Sequence, residues 1–159
     1  AQGFGLDIDW GSYPYVTSSN CISAAALMNG VPPQTVRNIY GVAKSYETYV
    51  GSKDFQPTGE VFTKIQEEGE EYGATTGRRR QVNWMNLNFL KKAININGAT
   101  HVVFNKMDIL ENVGHFAINE NSTLKRFIDA KHMEEYITQR LDNVPFVKSV
   151  VFSRSPHKV

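Results

Sequence analysis

The sequence predicts an α/β fold, a largely parallel central sheet flanked by helices. Three observations carry that expectation. Short apolar runs such as "HVVF" and "FVKSVVF" are too brief for helices and rich in β-branched and aromatic residues. Longer stretches with apolar residues at helical spacing lie between them, so strands and helices alternate. Polar, glycine-rich segments follow the apolar runs, where the loops of an open α/β sheet gather.

In order, Gly3 to Ile8 reads as a short strand and "DWGSYPYVTSSN" as a loop dense in turn formers and hydroxyls. Cys21 to Met28 reads as a helix stopped by Asn29-Gly30, and Pro32-Pro33 open another through about Tyr40. Gly41 to Val50 alternates like a single strand, and Gly59 to Glu71 forms a helix with Val61, Phe62 and Ile65 on its apolar side. "GATTGRRR" is a loop. Asn83 starts a helix through Ile96 that places Trp84, Leu87, Leu90 and Ile94 on one face, and His101 to Asn105 is the next strand. His115 to Ile118 and Thr123 to Ile128 form a hairpin, Asp129 caps a helix to about Leu141, and Phe146 to Phe152 is the last strand.

Composition narrows the function classes. The chain has 159 residues, 41% hydrophobic and 21% charged, which suits one globular domain over residues 1–159. A net charge of +1 argues against a generally basic nucleic-acid surface, so any anion site must be local. No apolar run approaches the ~18 residues of a spanning helix, and no membrane partner is expected. The one cysteine, Cys21, fits a reducing compartment. Asn121-Ser122-Thr123 is a formal glycosylation sequon, discounted because no secretory signal precedes it. The chain opens on Ala1 in what reads as a strand interior, so it is expected to be a portion of something longer.

Three loops carry chemistry. In "YPYVTSSN", Thr17, Ser18 and Ser19 precede a helix whose free N–H groups suit an anion, although hydroxyls there also serve as plain caps. In "GATTGRRR", Thr75 and Thr76 sit between glycines and are followed by Arg78, Arg79 and Arg80, whose guanidinium forks suit carboxylates and phosphates, although three arginines also read as a solvated basic run. The third loop is Asn105-Lys106-Met107-Asp108, joined by the terminal "VVFSRSP" from another strand end. Guanine presents a ring N–H beside an exocyclic amine, and one carboxylate accepts from both; adenine presents an acceptor there instead. Asp108 is the candidate reader, Lys106 a stem to lay over the base, and Asn105 a tie between loops. The same four residues also read as a strand end followed by a helix start at Asp108. The histidines stand far apart with no zinc-ligand spacing, so no metal site of side chains is expected. Glu67, Glu68, Glu70 and Glu71 read as a solvated helix end, and Cys21 as a small buried residue. No G-x-x-x-x-G-K-[ST] occurs, which disfavours an ordinary GTPase.

Together, "AQGFGLDIDWGSYPYVTSSN", "EYGATTGRRRQVNW" and "VVFNKMDIL" resemble the adenylosuccinate synthetase family from Ala1 to about Leu110, and "FSRSP" resembles a variant of its Ser-Thr-Gly-Pro turn. The resemblance implies the C-terminal part of that P-loop NTPase-like fold, and GTP- and Mg²⁺-dependent joining of L-aspartate to IMP in purine synthesis. It implies that Gln2 contacts the purine, Thr17 the IMP 5′-phosphate, and Val50 and Gly51 the ribose. Thr76 and Arg78 then hold the aspartate carboxylates, with Arg80 near both aspartate and GTP. Lys106, Asp108, Ser153, Ser155 and Pro156 border the guanine. Asn105 stands where threonine is usual, and Ser155 where glycine is. The family's phosphate loop, catalytic Asp and catalytic His lie upstream, so no catalytic residue and little of the Mg²⁺ site is expected in this chain. A cytoplasmic homodimer is implied for the complete protein. The segment from Glu111 to Val144 is short, as in compact archaeal or viral forms, and two alternatives follow: a viral-type relative using deoxyguanylate and ATP, or a nucleotide-binding module without catalysis.

Overall fold

The computed structural model describes residues 3–73 and 77–155. Among these residues, seven strands form two sheets. A parallel sheet runs in the order β1 (Tyr40–Lys44), β4 (His101–Asn105), β7 (Ser149–Phe152). The other runs β2 (Tyr46–Tyr49), β3 (Gln81–Asn86), β5 (Phe116–Glu120), β6 (Thr123–Phe127), in which only β3 and β5 pair in parallel. Among the described residues, helices α1 (Ala24–Met28), α2 (Glu60–Glu68), α3 (Leu87–Asn97), α4 (Met107–Val113) and α5 (Ala130–Leu141) connect and flank them. The α/β class and the flanked parallel sheet are thus as the sequence predicts.

The core follows the two hydrophobic periods. In β4, Val102 and Phe104 point into it, and in α5 the residues Met133, Ile137 and Leu141, one turn apart, are fully buried. Phe62 of α2 packs on Trp84 of β3 with ring centroids 5.2 Å apart. Each such side chain contributes about 1.5–3 kcal/mol on burial. Asp129 caps α5 as predicted, accepting from His132 N at 2.9 Å. The predicted hairpin is β5–β6, turned by Asn121 and Ser122 at φ 51° and 60°, the left-handed pair a two-residue turn requires. One face of the parallel sheet stays open. Tyr40 and Val42 are 63% and 68% exposed there.

Several expectations shift. The strand predicted from Gly41 to Val50 splits at Ser45, whose N–H and Oγ both donate to the Asn105 carbonyl, at 2.9 and 3.0 Å. That bond turns the chain from one sheet into the other. The helix predicted from Asn83 begins at Leu87, because Val82, Trp84 and Met85 bury as a strand and Asn86 is the cap, accepting from Phe89 N at 3.0 Å. The predicted first strand is a 3₁₀ turn, Phe4–Leu6, followed by the buried Asp7 carboxylate, which gathers the N–H groups of Asp9, Trp10 and Cys21. Burial pushes the Asp7 carboxyl up, and these three donors outweigh it and hold it below its ordinary value. The segments after Cys21 and Pro32 are helical only over Ala24–Met28 and, as a 3₁₀ turn, Pro33–Thr35.

Candidate functional site

The strands of the parallel sheet end together. Lys44 pairs in register with Asn105, and Phe104 with Phe152, so the turns that follow meet along one edge. Lys106 adopts φ 65° and caps α4, which places Asp108 in the helix's first turn, where unpaired N–H groups favour a negative charge. The turn at 153–155 packs against it: Ser153 N donates to Phe104 O at 2.7 Å, and Met107 N to Ser153 O at 3.4 Å. Ser153 is buried, and its Oγ donates to Ser155 O at 2.8 Å. The two segments expected to border a base are therefore neighbours. The Lys106 ammonium donates to the Gly69 carbonyl at 2.9 Å, tying this turn to the end of α2.

The arginine loop begins at that helix end. Gly69 is required by close approach, since a Cβ there would meet Tyr46 Oη at 2.4 Å and Ile65 O at 2.8 Å. Gly69→Ala is expected to destabilise the chain by about 1–3 kcal/mol through overpacking, read as a lowered urea midpoint. After Glu70, at φ 49°, the chain turns Glu71 inward until it is 1% exposed. Its carboxylate accepts from Lys44 Nζ at 2.7 and 2.8 Å, Tyr46 Oη at 2.7 Å and Arg80 at 3.0 Å. Burial pushes the Glu71 carboxyl up, and these donors more than reverse it, holding it below its ordinary value. Burial first, then Glu71, raises the Tyr46 hydroxyl strongly. The loop closes through Gly73 N to Arg78 O at 2.8 Å and Arg80 N to Glu71 O at 2.9 Å.

The three arginines separate. Arg80 turns in to Glu71, Arg79 pairs with the exposed Glu67 at 3.4 Å, and Arg78 is exposed. Of the acidic cluster, Glu67, Glu68 and Glu70 are solvated as expected, but Glu71 is the buried hub that sequence reasoning missed, together with Lys44 and Tyr46. The signal available was Gly69, which ends the helix before Glu71. Cys21, expected to be buried, is only half-buried.

Lys106, Asp108, Ser153 and Ser155 are thus brought together, and Arg80 joins them through Glu71, Gly69 and Lys106. Thr17, Val50 and Gly51 stand apart. Thr17 N donates to Leu6 O at 2.8 Å, Val50 is exposed, and the Gly51 carbonyl accepts from Gln81 at 3.1 Å. Their neighbours Tyr15 and Tyr49 are in edge contact at 6.3 Å and line a cavity of about 800 Å³ that Lys44 and Asn105 also reach. Among the described residues the buried Oδ1 of Asn105 finds no hydrogen-bond partner, and the tie between loops is its backbone carbonyl, held by Ser45. Gln2, Thr75, Thr76 and Pro156 lie outside the described residues. Among those described, no group of three or more His, Cys, Asp or Glu could hold a metal ion. No described helix is long and apolar enough to cross a membrane.

The family model for adenylosuccinate synthetase matches residues 1–150. Curated relatives named adenylosuccinate synthetase include that of Trichoplax adhaerens, 40% identical over 136 residues, which cover 80% of this chain and 30% of the relative. That of Phocaeicola vulgatus is 47% identical over 115 residues (70% and 27%), and that of Yarrowia lipolytica 37% over 157 (94% and 37%). The chain therefore spans roughly a third of their length. Among solved structures, fully ligated adenylosuccinate synthetase from Plasmodium falciparum superposes at TM-score 0.85 with 23% identity, covering 98% of this chain and 47% of that one. Cyanophage S-2L succinoaminodeoxyadenylate synthetase, bound to dGMP and dATP, superposes at 0.62 with 18% identity, covering 98% and 42%. Both share the fold; the weaker match to the phage protein, with the names of the relatives, does not favour the viral-type alternative. On the family match across residues 1–150, the chain belongs to the adenylosuccinate synthetase family.

Proposed function

We propose that this chain is the C-terminal portion of an adenylosuccinate synthetase and supplies its guanine- and aspartate-binding loops. The observation that carries this is the meeting of polar segments at one sheet edge: 105–108 against 153–155, with Glu71 and Arg80 fastened beside them through Gly69. Asp108 accepts from the guanine ring N–H and amine, the stem of Lys106 covers the base, and Ser153, Ser155 and Pro156 close its other side. Arg78, Arg80 and Thr76 hold the two carboxylates of L-aspartate, which forked donors fix in one orientation. Gln2, Thr17, Val50 and Gly51 contact IMP.

In the complete enzyme, GTP phosphorylates the 6-oxygen of IMP, which turns a poor leaving group into a good one. The amine of aspartate then displaces phosphate. Mg²⁺ would assist phosphoryl transfer from ligands beyond the described residues, and the complete protein is a cytoplasmic homodimer. Because phosphoryl transfer depends on groups positioned around the moving phosphate, the chain alone is expected to bind GTP in preference to ATP and to form no adenylosuccinate. Titration with each nucleotide, and an assay with IMP, GTP, aspartate and Mg²⁺, test both parts. Equal affinity for ATP would refute the guanine site, and turnover above background would refute the partial role.

A further inference from the structure

The turn after β7 holds a side chain that none of the proposed base contacts uses. Arg154 stands between Ser153 and Ser155, and its guanidinium spans two helices. Its Nε donates to Glu111 Oε1 at 2.8 Å, and a terminal nitrogen donates to Glu134 Oε1 at 2.5 Å. Glu111 lies on α4, one helical turn after Asp108, and Glu134 lies on α5. The Glu134 side chain is only 19% exposed, so its charge needs a partner. A guanidinium offers several N–H donors in a rigid plane and can hold both carboxylates at a fixed angle.

Among the described residues, this bridge is stronger than the direct tether between the turn and α4. The direct one is the Met107 N to Ser153 O bond, at 3.4 Å a long one. Without the Arg154 charge, Glu111 and Glu134 would face each other as like charges, and burial first, then the Glu111 charge, already disfavour ionisation of Glu134. Helices α4 and α5 would then part on the side that carries Asp108.

We propose that Arg154 is a positioning residue for base specificity: by fastening α4 and α5 to the 153–155 turn, it fixes the gap between Asp108 and that turn into which guanine fits. This rests on the guanine-binding role proposed for Asp108. Hydrogen bonds weaken steeply with misplacement, so a looser gap lowers discrimination before it abolishes binding.

The test is the ratio of GTP to ATP affinity of the 159-residue chain, wild type and variants, each checked for an unchanged circular dichroism spectrum. Arg154→Met is expected to lower the ratio about tenfold. Glu111→Gln combined with Glu134→Gln, which keeps Arg154 but removes both of its anchors, is expected to lower it similarly. Arg154→Lys should restore only part, since an ammonium lacks the planar fork. If Arg154→Met keeps the wild-type ratio, or lowers it while the double glutamine variant does not, the positioning role is overturned; the second outcome would mean that Arg154 touches the nucleotide itself. If the wild type shows no preference for GTP, the guanine site fails, and this inference with it.

Discussion

Glu71→Leu is expected to destabilise the chain by about 3 kcal/mol, because breaking a buried ion pair leaves its partners charged and uncompensated. Lys44 and Arg80, 24% and 33% exposed, would face each other across an apolar gap, and the Tyr46 hydroxyl would lose its acceptor. Arg80 would also lose the group that fixes its direction, so the aspartate binding proposed for it should weaken along with the fold. Glu71→Gln separates charge from shape and carries a pH signature. The folded carboxyl is held below its ordinary value of 4.5, so the unfolded chain binds a proton more readily. Its contribution is therefore fully present above about pH 4.5 and is lost as pH falls through the lower folded value. Urea denaturation between pH 3 and 7 should show this part of the acid loss in the wild type and a flatter limb in Glu71→Gln. A Glu71→Leu protein within ~0.5 kcal/mol of wild type, the range of ordinary surface changes, would show that the hub does not hold the loop.

What could be read from the sequence was local. The strand His101–Asn105, the hairpin and the Asp129-capped helix each declare themselves in a window of a few residues, and each stands as predicted. The misses share a different cause. Asparagine is a capping residue type at both 83 and 86, and the choice of Asn86 depends on whether Trp84 packs in a sheet or on a helix face, a tertiary question. The break at Ser45 is made by the carbonyl of Asn105, sixty residues away. Glu71 looked like one more acid in a solvated run because its partners Lys44 and Tyr46 lie on strands that the sequence merges into one. The candidate site was legible in the same uneven way: Lys106, Asp108 and the 153–155 turn announce themselves by lying just after strands, whereas the side chains that fix their geometry, Glu71 and Arg154, are found only in three dimensions.

The second large effect is a change of preference at Asp108. A carboxylate offers two acceptors to the guanine ring N–H and amine, whereas an asparagine amide offers one acceptor and one donor, which suits xanthine, with its ring N–H and adjacent carbonyl. Asp108→Asn is therefore expected to weaken GTP by about 1–3 kcal/mol, roughly 5- to 150-fold, and to strengthen XTP. Lys106→Ala should weaken both alike, since covering a base does not distinguish them, and it also removes the tie to Gly69.

The Kd values of wild type and Asp108→Asn for GTP, XTP and ATP test the central claim most directly. A guanine site at this sheet edge gives a wild type that ranks GTP above XTP and ATP, and a variant that ranks XTP first. If the ranking is unchanged by the substitution, Asp108 does not face a guanine base, and Asn105-Lys106-Met107-Asp108 is only the end of a strand and the start of a helix.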